Sequence, residues 1–75
     1  MEEFISVLKR AMPNVDFENE HNLVDDGILD SLSVVAIISE LADEYDVDIP
    51  PEEIDPDNFN SAEAMKALVD RLLDE

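Results

Sequence analysis

Asp30-Ser31-Leu32-Ser33-Val34-Val35-Ala36-Ile37-Ile38-Ser39-Glu40-Leu41-Ala42-Asp43-Glu44-Tyr45 is the stretch that decides the fold. Asp30 is a good N-cap, so the run predicts a helix from about Ser31 to Tyr45. Apolar residues cover most of its circumference, and its first half carries no charge after Asp30. Val34, Ile38, Leu41 and Tyr45 recur at i, i+4, i+7 and i+11, a seam expected to face a core. Leu32, Val35, Ala36 and Ser39 fall near the opposite side. An apolar strip that a helix need not bury is a candidate contact surface.

Outward from this helix the chain reads as more helix and little else. In residues 2–12, Phe4, Ile5, Leu8, Ala11 and Met12 share a face, and Pro13 ends the run. Residues 13–30 predict a long loop with isolated apolar anchors at Val15, Phe17, Leu23, Val24, Ile28 and Leu29. Loops of that length in small domains tend to be pinned and functional. Asp26-Gly27 holds the only glycine and predicts a tight turn. Ile49-Pro50-Pro51-Glu52-Glu53-Ile54 predicts a single helical turn, with Pro51 at its first position and acids in that turn. Asn60 followed by Glu63 suggests a cap for a last helix over about 61–73, with Met65, Leu68, Val69 and Leu72 inward. No stretch alternates as a strand does. The expected fold class is all-α, a small bundle of three principal helices plus one short helical turn.

Seventy-five residues allow one small domain, 1–75. Lys and Arg number 4 against 21 Asp and Glu, a formal charge of -17, yet 45% of the residues are hydrophobic. That combination describes a folded acidic domain rather than a disordered chain. The charge is uneven: residues 13–60 hold 15 acids and no base. Nucleic acid is excluded as a direct ligand, because neutralising phosphates needs clustered Lys and Arg. Anionic membranes are excluded for the same reason, and no apolar run approaches the roughly 18 residues of a membrane span. Basic protein surfaces are the natural partners. Met1-Glu2-Glu3 lacks the basic start of a signal peptide and there is no Cys, so a cytoplasmic location is expected; the domain is expected to be a monomer.

Little here can build an enzyme. Ser31 could act as a nucleophile only beside a base, and the sole histidine, His21, lies ten residues upstream with no orienting group identifiable. The acids do not form a calcium hand: frames begun at Asp16, Asp43 or Asp46 put His21, Asp48 or Pro51 where Gly is required. No metal ligand set is expected. Ser31 is of interest for another reason. Directly after an N-cap its hydroxyl is exposed, and the helix N-terminus favours an attached phosphate. On the dipeptide alone, ordinary helix-start chemistry is the better reading.

The wider context changes that reading. Gly27-Ile28-Leu29-Asp30-Ser31-Leu32 resembles the phosphopantetheine attachment motif of acyl carrier proteins, whose core is Asp-Ser-Leu preceded closely by Gly. Leu41, Tyr45, Val47 and Ile49-Pro50 fall where that family has its long second helix, an aromatic at its end and a short apolar-Pro segment. Asn58-Phe59-Asn60-Ser61 resembles the polar start of its final helix. The resemblance covers essentially the whole chain. It implies a carrier, not an enzyme, with 4'-phosphopantetheine covalently on Ser31 and cargo held as a thioester on the arm's thiol. Asp30 would help orient attachment and Leu32 would contact partners. The implied partners are a phosphopantetheinyl transferase, an acyl- or aminoacyl-loading ligase and downstream acyl-transfer enzymes. Ser33, Val35, Ala36, Ser39, Glu40, Asp43 and Ile49 make up the expected docking face.

One departure bears on cargo. Carriers of fatty acid biosynthesis resemble Asp-Ser-Leu-Asp-x-x-Glu, and here the two acidic positions are Ser33 and Ala36. Ile-Leu-Asp-Ser-Leu looks more like D-alanyl carrier proteins or stand-alone aminoacyl and peptidyl carriers. The cargo is therefore either aminoacyl, of D-alanyl type, or fatty acyl. The rival reading is an acidic interaction module that binds basic proteins without modification. It accounts for the charge but not for a Ser-Leu opening an apolar-faced helix.

Overall fold

The computed structural model describes residues 1–74; Glu75, the last residue of the expected domain, lies outside them. The order of elements is α1 (Glu2–Ala11), α2 (Ser31–Tyr45), a 3-10 turn (Pro51–Glu53), α3 (Pro56–Phe59) and α4 (Ala62–Leu73). No strand occurs among the described residues. The all-α bundle with principal helices α1, α2 and α4 is as expected, and the short turn falls at Pro51. The four-residue α3 is an addition. Its signals are local: Pro56 stands in the first turn and the Asp55 carboxylate accepts from the Asn58 N–H at 3.2 Å. One turn is too short to show a hydrophobic period, so patterning misses it.

Each long helix follows from its sequence. Helix α1 carries Glu2 and Glu3 in its first turn and Lys9 and Arg10 in its last, which complements the helix dipole at both ends. It buries Phe4, Val7 and Leu8 against α2 and α4. Val7, outside the expected stripe, is thus as central as Leu8. Helix α2 buries Val34, Ile37 and Leu41. The expected seam is turned slightly: Ile37 is fully buried, while Ile38 and Tyr45 pack half-buried against the core edge. A helix apolar nearly all round gives no unique face to the period alone, and the packing of α1 selects one. Tyr45 packs against Phe4 with ring centroids 5.8 Å apart and planes tilted by 33°.

Every fully buried side chain among the described residues is apolar. Phe4, Phe17 and Phe59 are its largest members, drawn from α1, the long loop and α3. Burying one such ring stabilises by about 1.5–3 kcal/mol, so loop and short helix contribute to the core as the long helices do. The loop between α1 and α2 is pinned as expected, by Val15, Phe17, Leu23 and Leu29.

Among the described residues, two positions have a left-handed backbone. Gly27 has φ +76° in the turn after Asp26, and nothing lies within 4 Å of where a Cβ would sit. The glycine is therefore needed for conformation, not for space. Asp46 ends α2 at φ 51°, a geometry that Asp tolerates better than most residues. Beyond it Val47 and Ile49 turn inward while Asp48 faces solvent. Ile49 is only 7% exposed. It belongs to the core and not to the docking face expected from sequence, because the extended step after Asp46 points alternate side chains inward.

Helix α4 begins one residue later than Asn60 would have started it. Ser61 is its N-cap, and the Ala64 N–H donates to Ser61 Oγ at 3.1 Å. Asn60 closes α3 instead and turns its amide toward the loop. Arg71 of α4 reaches back to α3 and to the turn before it: its Nη2 donates to Asn58 Oδ1 at 3.4 Å and lies 3.7 Å from Glu53.

Candidate functional site

Ser31 is the first residue of α2, and it is exposed. The residue before it supplies the cap. Asp30 is extended (φ -103°, ψ -174°) and its Oδ1 accepts from the Ser33 N–H at 2.9 Å. That backbone hydrogen bond from Ser33, helped by the Ser33 side chain, holds the Asp30 carboxyl below its usual range. Asp30 thus stays ionised, shapes the turn and is a weak base. His21 does not serve as one either: it is exposed, its Nδ1 lies 3.8 Å from Glu63, and it is not among the residues lining the groove beside Ser31. The hydroxyl is presented but not activated.

That groove is open, apolar and about 460 Å³ in volume, with Asp30 and Ser31 among its lining residues. Val24 and Leu29 reach it from the loop, Val34 and Val35 from α2, and Ile54 and Phe59 from the segment through α3. A second groove of about 520 Å³ runs along α1 beside Phe17 and Glu63 and does not include Ser31.

Around Ser31 the surface is apolar. Leu32 is 80% exposed and Val35 59%, the strip expected from the sequence. Ile28 and Ile54, at 37% and 43%, extend it, and sequence reading did not single them out as surface. Ile28 had been an expected anchor, but its neighbour Leu29 takes the buried place. Ser39 and Asp43 are exposed further along α2, while Ser33 and Ala36 are half-buried. Glu40 is half-buried because Arg10 Nε lies 3.3 Å from its carboxylate. Along α2 the acids after Asp30 therefore begin only at Glu40, while Leu32 and Val35 are the exposed aliphatic side chains next to Ser31; Asp30 and Asp55 are the acids that line the groove.

The geometry leaves room for a group attached at Ser31. An exposed primary hydroxyl on a helix N-terminus accommodates a phosphodiester, and the adjacent groove offers apolar walls to what lies beyond. No described helix is long and apolar enough to cross a membrane. The site is thus an exposed hydroxyl at the start of a helix in a small helical bundle, beside an open apolar groove.

The comparisons give the family. The model for the phosphopantetheine attachment site matches residues 1–69, and the chain belongs to that family. It is 37% identical over 54 residues to the D-alanyl carrier protein of Lactococcus lactis subsp. cremoris, covering 72% of this chain and 68% of the relative. It is 36% identical over 64 residues to aminoacyl carrier protein 2 of Bradyrhizobium diazoefficiens, covering 85% and 71%. With the D-alanyl carrier protein of Streptococcus sanguinis the identity is 33% over 61 residues, covering 80% and 77%. No solved structure matches the chain significantly. The protein is a carrier whose cargo rides on 4'-phosphopantetheine; it works with transferases and ligases and does no catalysis itself.

Proposed function

We propose that Ser31 receives the phosphopantetheine arm and that the cargo is an aminoacyl group of D-alanyl type. The observation that carries the first part is Ser31 itself, exposed at the first position of α2 at the lip of an apolar groove. In the attachment step Ser31 Oγ forms a phosphodiester with the pantetheine phosphate of coenzyme A. The pyrophosphate bond breaks, 3',5'-ADP leaves, and the hydroxyl proton goes to a base on the transferase. This chain contributes position: the Asp30 cap fixes the first turn, and Leu32 and Val35 offer apolar contact beside the hydroxyl.

The cargo assignment is supported by the similarity to D-alanyl and aminoacyl carrier proteins and by the face of α2, where Ser33 and Ala36 stand in place of acids. Partners of the reading are a phosphopantetheinyl transferase and an aminoacyl-loading ligase, met in the cytoplasm by a monomeric domain. Two measurements test it. Intact mass after incubation with transferase and coenzyme A should show the arm on the wild type and none on Ser31→Ala; an equal gain on both overturns Ser31. The loaded carrier should then accept D-alanine from a D-alanine ligase faster than a fatty acid from an acyl-carrier synthetase; the reverse order overturns the cargo.

A further inference from the structure

Asn60 is the only residue that ties the loop before Ser31 to the junction of α3 and α4 through both backbone and side chain, among the described residues. Its carbonyl accepts from the Leu23 N–H at 2.8 Å. Its Oδ1 accepts from the N–H groups of Val24, at 2.9 Å, and Asp25, at 3.1 Å. Its Nδ2 donates to Asp25 Oδ2 at 3.2 Å. The loop then closes on itself, with Leu29 N–H donating to Leu23 C=O at 2.9 Å. Ser31 follows two residues later.

We infer that Asn60 is a positioning residue for loading: it holds the 23–29 loop, and so the Asp30-Ser31 turn and the groove beside it, in the arrangement that a transferase recognises. The inference rests on Ser31 as the attachment point. Its physical basis is that Val24 and Phe59, which line the groove from opposite segments, are each adjacent to one end of this clamp. The backbone N–H groups of Leu23, Val24 and Asp25 all donate to Asn60, the first to its carbonyl and the other two to its Oδ1, so two acceptor atoms of one residue satisfy three consecutive donors. Without the side chain, the loop samples other arrangements and the competent one is only fractionally populated. Apparent affinity for the transferase falls by that fraction, while turnover of the bound carrier is unaltered.

The swap of Asp25 and Asn60 separates positioning from mere folding. Asn60→Asp keeps the acceptor for Val24 and Asp25 but sets two carboxylates together and loses the donor. Asp25→Asn combined with Asn60→Asp restores a donor and an acceptor across the same gap at unchanged net charge. With coenzyme A and transferase, read by intact mass, Asn60→Asp is expected to raise KM for the carrier about 3- to 10-fold with kcat within twofold. The double variant should return KM to within twofold of wild type. Independently of activity, amide exchange at Val24 and Asp25 should quicken in Asn60→Asp and recover in the double variant, while the amides of Leu41 and Leu68 stay protected. Wild-type KM in Asn60→Asp, or a double variant that folds without regaining KM, overturns the inference. If peptide mapping finds the wild-type arm on a residue other than Ser31, the attachment reading and this inference fail together; if it finds the arm on Ser31 with loading indifferent to Asn60, only this inference fails.

Discussion

Arg10 Nη2 and Glu44 Oε1, thirty-four residues apart in sequence, meet at 2.6 Å across α1 and α2. Arg10 also faces Glu40 at 3.3 Å, so one guanidinium serves two carboxylates. The Glu44 hydrogen bond raises the Arg10 pKa above its ordinary value. In a chain of net charge -17 this cation matters more for the repulsion it relieves between two acids than for the pair it makes. Arg10→Ala should therefore lower Tm, and the loss should shrink in 1 M salt, where the screening length falls to about 3 Å. The wild type itself should gain Tm with added salt or millimolar divalent ions. A Tm flat across the titration would count against strong self-repulsion.

The two left-handed positions have opposite expectations. Gly27→Ala forces a Cβ into a disfavoured backbone region with no clash to relieve, so unfolding free energy should drop by about 1–2 kcal/mol. Gly27→Asn should lose less, because Asn visits this region more readily. At Asp46, φ 51°, replacement by Gly should stabilise by up to about 1 kcal/mol while removing one acid from the crowded middle. Denaturant midpoints measure all three. Equal losses for Ala and Asn at position 27 would show that the turn does not hold this conformation in solution.

How far the sequence alone reaches is clear from particular residues. Asp30 as cap, Gly27 as turn and the exposed Leu32 and Val35 strip are local matters of propensity and period, and all are found as read. Ile37, Ile49 and Asn60 were misjudged for a shared reason. Which face of a nearly all-apolar helix is buried, which way an extended step points, and what an amide caps depend on neighbours distant in sequence. Asn60 had a second use, 36 residues from Val24, that no spacing rule encodes. Helix α3 is the opposite case: its cap and proline are legible, but one turn has no period to count.

Asp30 gives a pH dependence with a definite sign. Its carboxyl lies below the usual range in the fold, chiefly through the Ser33 N–H. A lowered folded pKa means the contribution is present above the unfolded value, about pH 3.9, and is lost as pH falls through the folded one. Asp30→Asn keeps a capping oxygen but does not titrate. The stability of wild type relative to Asp30→Asn should be constant from pH 7 to about 5 and decline below about 4. Urea midpoints of both proteins at pH 7, 4 and 3 read the difference, and a gap that widened on acidification would reverse the assignment.

Leu32 bears most directly on the division between attraction and recognition. With 80% of its surface exposed it contributes little to the core, so Leu32→Ala should change stability by no more than about 0.5 kcal/mol. A leucine buried on docking is worth about 1.5 kcal/mol or more, which corresponds to roughly a tenfold rise in KM for the loading ligase. Val35→Ala, losing less area, should cost a few-fold. Asp43→Asn, a rim charge further along α2, should instead lower the association rate, with an effect that vanishes at high salt. Salt titration of the two classes distinguishes them: an apolar contact keeps its penalty when charges are screened. If the Leu32→Ala penalty disappears in high salt while that of Asp43→Asn persists, specificity lies with the acids and not with the aliphatic face around Ser31.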